Sequence, residues 1–307
     1  MNHISLSWLC RVWLLCLLVA PTVAAQYRFD NWTTEHGLPQ NSVISITQTR
    51  DGYLWLATYN GVVRFDGVHF TVFNRNNTPA LGTNRICGLG EDAAGALWMS
   101  TIEGGVVRYQ HGVFTRFTRE QGLPHNNVMM GLRISNTGVP LFFTDAGAVW
   151  RRDDSFQPYE VSGTPKDMQI HFGASGTQWL ADKDGVTARK NGQATRYPMP
   201  ITSEAVPGVR CHEDRSGALW LALPQRGLFR LKDGRVTDYN ERIRLRLPAT
   251  ISVILEDRDG ALWLGTPDSG LIHFRPQAKD KELSKEQDTV TVYSTSNGLP
   301  SRGILDR

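Results

Sequence analysis

Residues 211–214, Cys-His-Glu-Asp, place a thiol, an imidazole and two carboxylates side by side. Such groups bind zinc or transfer protons when a fold brings them together. The corresponding runs 90–92 and 255–257 keep only the acidic pair. Because Asp readily accepts hydrogen bonds from its local backbone, we interpret all three runs as strand ends that lead into turns, and we expect no metal site there.

The remaining histidines give no stronger sign of chemistry. Beyond residue 25 the histidines are scattered along the chain, and no two of them have zinc-type spacing. The sequence also lacks a Gly-x-Ser-x-Gly elbow, a phosphate-binding loop and a His-Glu-x-x-His motif. We therefore predict no catalytic residue, no cofactor and no metal in this chain, and the sequence leaves open whether it is an enzyme. These histidines are His36, His69, His111, His125, His171, His212 and His273.

A second group of polar and aromatic side chains falls in the segments between predicted strands. Arginine pairs bidentately with carboxylate or sulfate, and amides and aromatics suit sugars, so this mixture predicts an oligosaccharide or a small anionic ligand. The alternative is a merely solvated polar rim. The predicted ligand-binding residues are Gln40, Asn41, Tyr59, Asn60, Arg75, Arg85, Glu103, His125, Asn126, Asn127, Gln225, Arg226 and Arg242.

Composition narrows the classes of protein. Lys and Arg total 33 against 30 Asp and Glu, and the net charge of +3 gives no sign of nucleic-acid binding. With 40% hydrophobic and 21% charged residues, the chain of 307 residues can bury a large core.

Only two cysteines, Cys87 and Cys211, lie outside the N-terminal segment. The repeats indicate that they occupy equivalent positions in two blades that are far apart. We therefore predict free thiols in strands, not a disulfide.

Residues 1–25 have the pattern of a secretory signal peptide. Arg11 precedes an apolar run at 12–20, and small residues lead to Ala25. The alternative, an uncleaved anchor helix, is disfavoured because the run is shorter than the ~20 apolar residues of a membrane span. We predict cleavage after Ala25 and a mature domain over 26–307.

The elements that must position these residues repeat along the chain. Turn glycines recur at intervals of about 40 residues, and most precede a short strand with the pattern Leu-Trp. A second glycine follows nine or ten residues later and opens another strand. Tight Asp-Gly, His-Gly or Asn-Gly pairs then lead to a strand that ends in an aromatic residue. The turn glycines are Gly52, Gly95, Gly138, Gly176, Gly217 and Gly260, and the tight pairs begin at Asp66, His111, Asn191 and Asp233.

Each repeat therefore predicts four strands, the first seen best at 43–46 and 251–255. Repeats of this length with a fixed aromatic are typical of β-propeller blades, whereas open solenoids and β-helices usually have shorter repeats. We predict an all-β propeller whose tryptophans pack between neighbouring sheets. The predicted blades lie near 40–73, 84–117, 127–159, 168–197, 207–239 and 250–293.

The two ends of the repeat array predict parts of a further blade. Residues 32–39 match 117–124 and 293–300, so the first segment is an outer strand without its own blade. Residues 301–307 begin another inner strand. We expect six complete blades plus parts of a seventh, and hence an N-terminal fragment of a longer protein. The alternative is a six-bladed ring closed by these ends.

Two motifs resemble those of the two-component-regulator propeller family. The first is a Glu-Asp pair followed by a turn glycine and Leu-Trp, which recurs at 91–99, 213–221 and 256–264. The second is Gly-Leu-Pro, at 37–39, 122–124 and 298–300. Residues 41–67 are similar to the usual first blade of those sensors. Blade three departs from the pattern, because Leu141 and Phe142 stand where Leu-Trp is expected. The resemblance implies a periplasmic, extracytoplasmic sensor that precedes a membrane helix and a cytoplasmic histidine kinase or, in some members, a diguanylate cyclase.

The first functional hypothesis is thus a ligand-sensing propeller of a two-component signalling protein whose output module is absent from this chain. We expect dimers of the full-length protein, anchored to the inner membrane only through a missing C-terminal segment. Two alternatives remain: a secreted propeller enzyme such as a polysaccharide lyase or hydrolase, and a passive interaction ring.

Overall fold

The structure is a computed structural model that describes residues 27–129, 131–160, 168–199, 201–202, 204–243, 250–276, 288–301 and 303–304. The predicted signal peptide and most of the predicted inner strand at 301–307 lie outside the described residues. The chain divides into two compact units, Met1–Asp30 and Asn31–Arg307. In the described part of the first unit, Arg28 pairs with Asp30 at 2.9 Å.

The second unit contains six antiparallel sheets of four strands each, and every sheet is a meander in sequence order. Blade one comprises β1 (Ser45–Gln48), β2 (Leu54–Thr58), β3 (Gly61–Phe65) and β4 (Phe70–Phe73); blade two comprises β5 (Ile86–Glu91), β6 (Leu97–Thr101), β7 (Val106–Gln110) and β8 (Val113–Phe117). Blade three comprises β9 (Leu132–Ile134), β10 (Pro140–Thr144), β11 (Gly147–Arg152) and β12 (Ser155–Pro158); blade four comprises β13 (Met168–Phe172), β14 (Gln178–Asp182), β15 (Gly185–Lys190) and β16 (Gln193–Pro198). Blade five comprises β17 (Arg210–Glu213), β18 (Leu219–Leu223), β19 (Gly227–Lys232) and β20 (Arg235–Asp238); blade six comprises β21 (Val253–Glu256), β22 (Leu262–Gly265), β23 (Leu271–Arg275) and β24 (Thr289–Tyr293).

The six sheets are the blades of a β-propeller, as the repeats predict. The first strands of successive blades contact one another, from β1 and β5 through to β17 and β21, and so form the inner edge of the ring. Helical structure in the described residues is limited to short 3-10 turns, at Thr34–His36, Pro79–Leu81, Arg119–Gln121, Val206–Gly208 and Thr295–Asn297.

The core lies between neighbouring blades. Trp55 of β2 is buried against Leu97, Met99 and Tyr109 of blade two, and Trp220 of β18 is buried in the same way against blade six. Each aromatic ring removes roughly 150–250 Å² from water. Blade two buries Leu97 and Met99 against blade one and Trp98 against blade three, so neighbouring sheets are held together through both faces. The burial of Trp55, Trp98, Trp179 and Trp220 confirms the predicted packing role of these tryptophans.

Blade three keeps this packing by moving its tryptophan to another strand. The register places Leu141 of β10 where β6 has Trp98, so Pro140 and Leu141, and not Leu141 and Phe142, stand in place of Leu-Trp. Trp150 of the adjacent strand β11 pairs with Leu141. The Trp150 ring contacts Phe172 of blade four at 5.6 Å. The departure noted in the sequence is thus compensated within the same sheet.

The indole nitrogens of Trp98, Trp220 and Trp263 each donate to an aspartate six residues earlier. Trp98 donates to Asp92 at 2.7 Å, and Trp220 donates to Asp214 at 2.8 Å. Each aspartate also closes the turn before its strand. A buried N–H without a partner would cost about 1–3 kcal/mol, so this bond lets a large ring enter the core.

In four of the six repeats, the second glycine is required by a close approach to a backbone carbonyl oxygen; these are Gly61, Gly105, Gly185 and Gly270. Gly105 has a φ of +86°, and a Cβ at this position would lie 2.2 Å from the carbonyl oxygen of Phe117. Gly270 meets the carbonyl oxygen of Tyr293 in the same manner, at 2.1 Å. The start of the third strand can therefore lie this close to the end of the fourth strand only if the residue there is a glycine.

Two details of the predicted strands and turns are wrong. The inner strands begin two residues later than predicted, because Ile44 makes a single backbone bond to Ala57 before the regular ladder begins. Residues 66–67 do not form a two-residue turn: Phe65 pairs with Phe70, and Asp66 bonds the loop backbone.

The two cysteines are free, as predicted, but they are not equivalent. Cys211 pairs with Leu221, and the equivalent residue of blade two is Leu89, which pairs with Met99. Cys87 lies two residues before Leu89, at a bulge in β5. The bulge inserts an extra residue, which the repeat spacing alone does not reveal.

Candidate ligand-binding face

One face of the ring is formed by the loops between second and third strands together with the segments that enter each new blade. The Gly105 amide donates to the carbonyl of Asn126 at 2.8 Å, and the Val128 amide donates to Thr101 at 3.0 Å. Each loop therefore lies against the segment that leads into the next blade, which brings several predicted ligand-binding residues to the same face.

Two predicted ligand-binding residues, Asn41 and Asn126, have a structural role instead. The side-chain oxygen of Asn126 accepts a hydrogen bond from the Arg119 amide at 2.9 Å. Asn41 accepts from the Thr34 amide at 2.8 Å in the same way. Both bonds hold the 3-10 turn that precedes the Gly-Leu-Pro motif, so these oxygens are committed to the backbone.

His125 and Asn127, by contrast, form a polar cluster with Asp145 from the next blade. Asn127 Nδ2 donates to Asp145 Oδ2 at 2.9 Å, and the Asn127 amide donates to His125 Nδ1 at 3.0 Å. His125 Nδ1 lies 3.8 Å from Asp145 Oδ2. The side-chain oxygen of Asn127 is buried and accepts no hydrogen bond from the described residues. Buried carbonyl oxygens are usually satisfied, so this unpaired acceptor is an exception among the buried side-chain groups of the described residues.

Asp145 was not among the predicted residues. It follows β10 directly, two positions before the glycine that opens β11. That loop position corresponds to Tyr59, which was predicted. The repeat alignment could therefore have identified Asp145, although only the packed ring brings it to Asn127.

Tyr59, Arg85 and Glu103 occupy the adjoining part of the face, between blades one and two. The Arg85 guanidinium lies 5.6 Å from the centre of the Tyr59 ring, and the Arg85 carbonyl accepts from the Ile102 amide at 3.0 Å. Glu103 is exposed at the tip of the same loop, with a φ of +63°. Asn60 donates to the carbonyl of Pro39 at 3.1 Å.

The other predicted residues do not join this group. The Arg75 amide is bonded to Asn84 at 2.7 Å, and Arg226 lies over Phe229 at 5.4 Å. Arg242 forms an ion pair with Asp288 and lies over Tyr239 at 4.4 Å. Gln40 is half-buried near the Gly-Leu-Pro motif, and Gln225 is exposed at a loop tip with a φ of +61°.

Residues 211–214 end β17 and lead into a turn, as the sequence indicates. Glu213 accepts from the Trp179 indole at 2.6 Å and from the Ser175 amide at 2.8 Å, and it thereby joins blades four and five. His171 accepts from the Glu213 amide at 3.1 Å. Burial, and then the neighbouring His212, lower the pKa of His171 to about 4, so this imidazole is neutral at neutral pH.

The thiols have no sign of activation. Burial raises the pKa of Cys87 to about 11 and that of Cys211 to about 12. The reactive form of cysteine is the thiolate, so both thiols are inert at neutral pH. In the described part of the chain, no group of three or more His, Cys, Asp and Glu side chains could hold a metal ion.

The described residues include no helix that is both long and apolar enough to cross a membrane. No curated protein sequence matches this chain significantly. The family model described as two component regulator propeller matches residues 37–60 and 247–268. These segments fall at blades one and six, and both blades carry the motifs on which the resemblance in the sequence rests.

Solved structures with the same fold include two extracellular domains and an enzyme. The extracellular domain of the hybrid two component system BT3049 from B. thetaiotaomicron has a TM-score of 0.63 at 20% identity, over 80% of this chain and 35% of that one. The extracellular domain of the one component system BT4673 from the same organism gives 0.59 at 19%, over 78% and 34%. Virginiamycin B lyase from Staphylococcus aureus gives 0.60 at 16%, over 82% and 83%.

At these identities the likeness concerns the fold alone. The present chain spans about a third of the length of the two extracellular domains that it matches. The chain is thus a β-propeller of six four-stranded sheets, and its residues 37–60 and 247–268 match the two component regulator propeller model.

Proposed function

We propose that this chain is the extracytoplasmic, ligand-sensing propeller of a two-component signalling protein. Its ligand is an oligosaccharide or a small anionic molecule, bound at the face between blades one and three. The repeat family supports the class of protein. The specific support for binding is the polar cluster of His125, Asn127 and Asp145, in which a buried amide oxygen lacks a donor.

The chemistry of this face fits such a ligand. Asn127 Oδ1 would accept a hydrogen bond from a sugar hydroxyl, which removes the cost of a buried unpaired acceptor. Arg85 is exposed beside Tyr59 and would pair with a carboxylate or sulfate of the same molecule. An aromatic ring, an amide and an arginine on a rigid scaffold are the groups by which loops commonly bind ligands.

Signal output would follow from a module carried by polypeptide outside the described residues. A histidine kinase or a diguanylate cyclase in the cytoplasm, joined through a membrane helix, is the arrangement that we propose, with dimers of the full-length protein. Expression of the full-length protein with and without the ligand, followed by phosphorylation and cyclic dinucleotide assays, tests this part separately from binding.

Binding is tested by screening the chain against neutral, uronic and sulfated oligosaccharides by thermal shift and calorimetry. For a ligand found this way, Asn127→Ala and Arg85→Gln should each raise Kd at least about tenfold, equivalent to ~1.4 kcal/mol. The matched control is Asp184→Asn, a polar substitution in the equivalent loop of blade four, which should leave Kd unchanged. If all three variants bind equally well, the proposed face is wrong.

A second candidate, an enzyme acting at the same face, is favoured by one observation. His125 Nδ1 lies 3.8 Å from Asp145 Oδ2, and a histidine beside a carboxylate is one of the pairings that enzymes use in acid–base catalysis. Incubation with each oligosaccharide and analysis for shortened or unsaturated products tests this candidate. Products that disappear with His125→Gln would replace the sensor proposal with a lyase or hydrolase.

A further inference from the structure

A buried threonine stands at the end of the second strand in four of the six blades, next to a loop of the candidate ligand-binding face. A buried hydroxyl without a hydrogen-bond partner would destabilise the fold, so each of these hydroxyls is expected to be bonded. The acceptor is the carbonyl oxygen of the second glycine of the repeat. The four bonds join Thr58 to Gly61, Thr101 to Gly105, Thr144 to Gly147 and Thr266 to Gly270, at 2.8, 2.7, 2.7 and 2.9 Å.

The threonine of blade three also accepts a hydrogen bond from its own loop. The Ala146 amide donates to Thr144 Oγ1 at 3.2 Å, and the same hydroxyl donates to the Gly147 carbonyl at 2.7 Å. Thr144 and Gly147 pair in the ladder, so Asp145 and Ala146 form a two-residue loop. One hydroxyl therefore closes this loop and limits the positions that the Asp145 backbone can take.

Asp145 passes this restraint on to Asn127, in the segment that enters blade three. The Asp145 amide donates to the Asn127 carbonyl at 3.3 Å, and Asp145 Oδ2 accepts from Asn127 Nδ2 at 2.9 Å. Because the side-chain nitrogen of Asn127 is directed at Asp145, the side-chain oxygen points away from it. That oxygen is the buried acceptor that no described residue bonds.

Two blades close the same loop without a threonine. Blade four has Asp182 at this position, and its carboxylate accepts from the Asp184 amide at 2.8 Å. Blade five has Leu223, whose carbonyl accepts from the Arg226 amide at 3.0 Å. A hydroxyl is therefore not the only means of closing this loop. In blade six, Thr266 closes a loop that carries none of the predicted ligand-binding residues, which makes it a natural comparison.

We propose that Thr144 is a positioning residue of the ligand-binding face, whose hydroxyl orients the side-chain amide of Asn127 through Asp145. This inference rests on the proposed function, because it takes the cluster of His125, Asn127 and Asp145 as the place where the ligand binds. Thr144 is 2% exposed and acts only through its neighbours. A group that is already held in its bound geometry loses less entropy on binding, so the hydroxyl favours acceptance of a sugar hydroxyl by Asn127 Oδ1.

Thr144→Val tests the role of the hydroxyl, since valine has nearly the shape of threonine. The probe is the tightest binder from a panel of neutral, uronic and sulfated oligosaccharides, measured by calorimetry. We expect Thr144→Val to raise Kd about three- to tenfold, and Thr144→Ser, which keeps the hydroxyl, to stay within about twofold of wild type.

The matched control is Thr266→Val. It removes the equivalent bonds to the Gly270 carbonyl and the Ser269 amide in blade six. This control should lower the melting temperature as Thr144→Val does, but it should leave Kd unchanged. If Thr144→Val does not fold, Thr144→Ala replaces it with the same expectations.

A second measurement needs no oligosaccharide. In isotope-labelled protein, the side-chain amide resonances of Asn127 are identified by their loss in Asn127→Ala. They should shift in Thr144→Val and keep their wild-type positions in Thr144→Ser and Thr266→Val. If no oligosaccharide binds wild type but the resonances behave in this way, the proposed ligand is wrong and the positioning role stands.

Three results would overturn the positioning role. The first is an unchanged Asn127 resonance in Thr144→Val. The second is an equal effect of Thr144→Val and Thr266→Val on Kd or on that resonance, which would make the role of the hydroxyl merely structural. The third is a Thr144→Ser variant that behaves as Thr144→Val does.

Discussion

Removal of the Asp214 carboxylate should destabilise the propeller more than its position in a turn implies. Oδ1 accepts from the Ser216 amide and hydroxyl and from the Ala218 amide, at 2.9, 2.6 and 3.0 Å. Oδ2 accepts from the Trp220 indole at 2.8 Å and from Arg230 at 3.3 Å. Asp214→Ala therefore leaves a turn, an indole in the core and a guanidinium without their shared acceptor.

The magnitude follows from these partners. A hydrogen bond to a charged group contributes about 1.5–3 kcal/mol, and a buried donor without a partner costs about 1–3 kcal/mol. The Ser216 amide and the Arg230 guanidinium are only partly buried. The Trp220 indole and the Ala218 amide are buried, so these two donors bear the full cost. We expect the free energy of unfolding to fall by about 3 kcal/mol, which corresponds to roughly 6–12 °C in the melting temperature.

Urea unfolding, followed by circular dichroism and tryptophan fluorescence, measures this change. Asp259→Ala is the matched control, because the Asp259 side chain is 75% exposed and lies 3.8 Å from its nearest cation, on Arg275. The control should fall by less than about 0.5 kcal/mol. If Asp214→Ala costs no more than Asp259→Ala, the argument that this carboxylate supports the buried ring is refuted.

The difference in stability between wild type and Asp214→Ala should also depend on pH. Burial raises the pKa of Asp214, but bonds from Ser216, Trp220 and the Ala218 amide outweigh burial, so the pKa is lowered overall. A carboxyl whose pKa is lower in the folded state stabilises the fold above its unfolded pKa and loses that effect in acid. The difference in stability between wild type and Asp214→Ala should therefore shrink as the pH falls below about 4.

Three further results are expected. Gly105→Ala should cost about 2 kcal/mol or more in urea unfolding, because a Cβ at this positive φ would meet the Phe117 carbonyl; a cost near zero would contradict that contact. Cys87 and Cys211 should resist a thiol reagent at pH 8 in the folded protein and react after unfolding, given pKa values of about 11 and 12; rapid labelling of the folded chain would contradict their burial. Burial lowers the pKa of His171 to about 4 in the fold, against about 6.5 when unfolded. The free energy of unfolding of wild type should therefore fall between pH 6.5 and 4, and that of His171→Gln should fall less. Equal losses of stability in the two proteins would contradict this.

Local rules predicted most of the blade architecture. The tight turns at His111, Asn191 and Asp233 were predicted from a following glycine, and all three residues have a positive φ, from 49° to 50°. Asp66 precedes a glycine as well, yet its side chain bonds Val68 and His69 and opens a four-residue loop. A residue followed by glycine thus predicts a turn. The length of the turn depends on whether the side chain of that residue accepts hydrogen bonds from the following backbone amides.

The candidate site was predicted less well, because residues of one type have different roles. Asn126 and Asn127 are neighbours in the sequence, but the first fastens the Arg119 turn and the second bonds Asp145 in another segment. Arg242 was predicted to meet a ligand, whereas it is paired with Asp288, which lies beyond a long connection. Sequence spacing carries no information about such partners, since loop paths bring them together.

By itself, the sequence determined the repeat length, the four strands of each blade and the glycines that the hairpins need, because these depend on contacts between residues close together in the chain. Only the tertiary structure decided which polar groups meet at the face and how Trp150 replaces the missing tryptophan of blade three. Those outcomes depend on packing between separate sheets, where burial and the need to satisfy each buried polar group select one arrangement among the many that the repeat pattern allows.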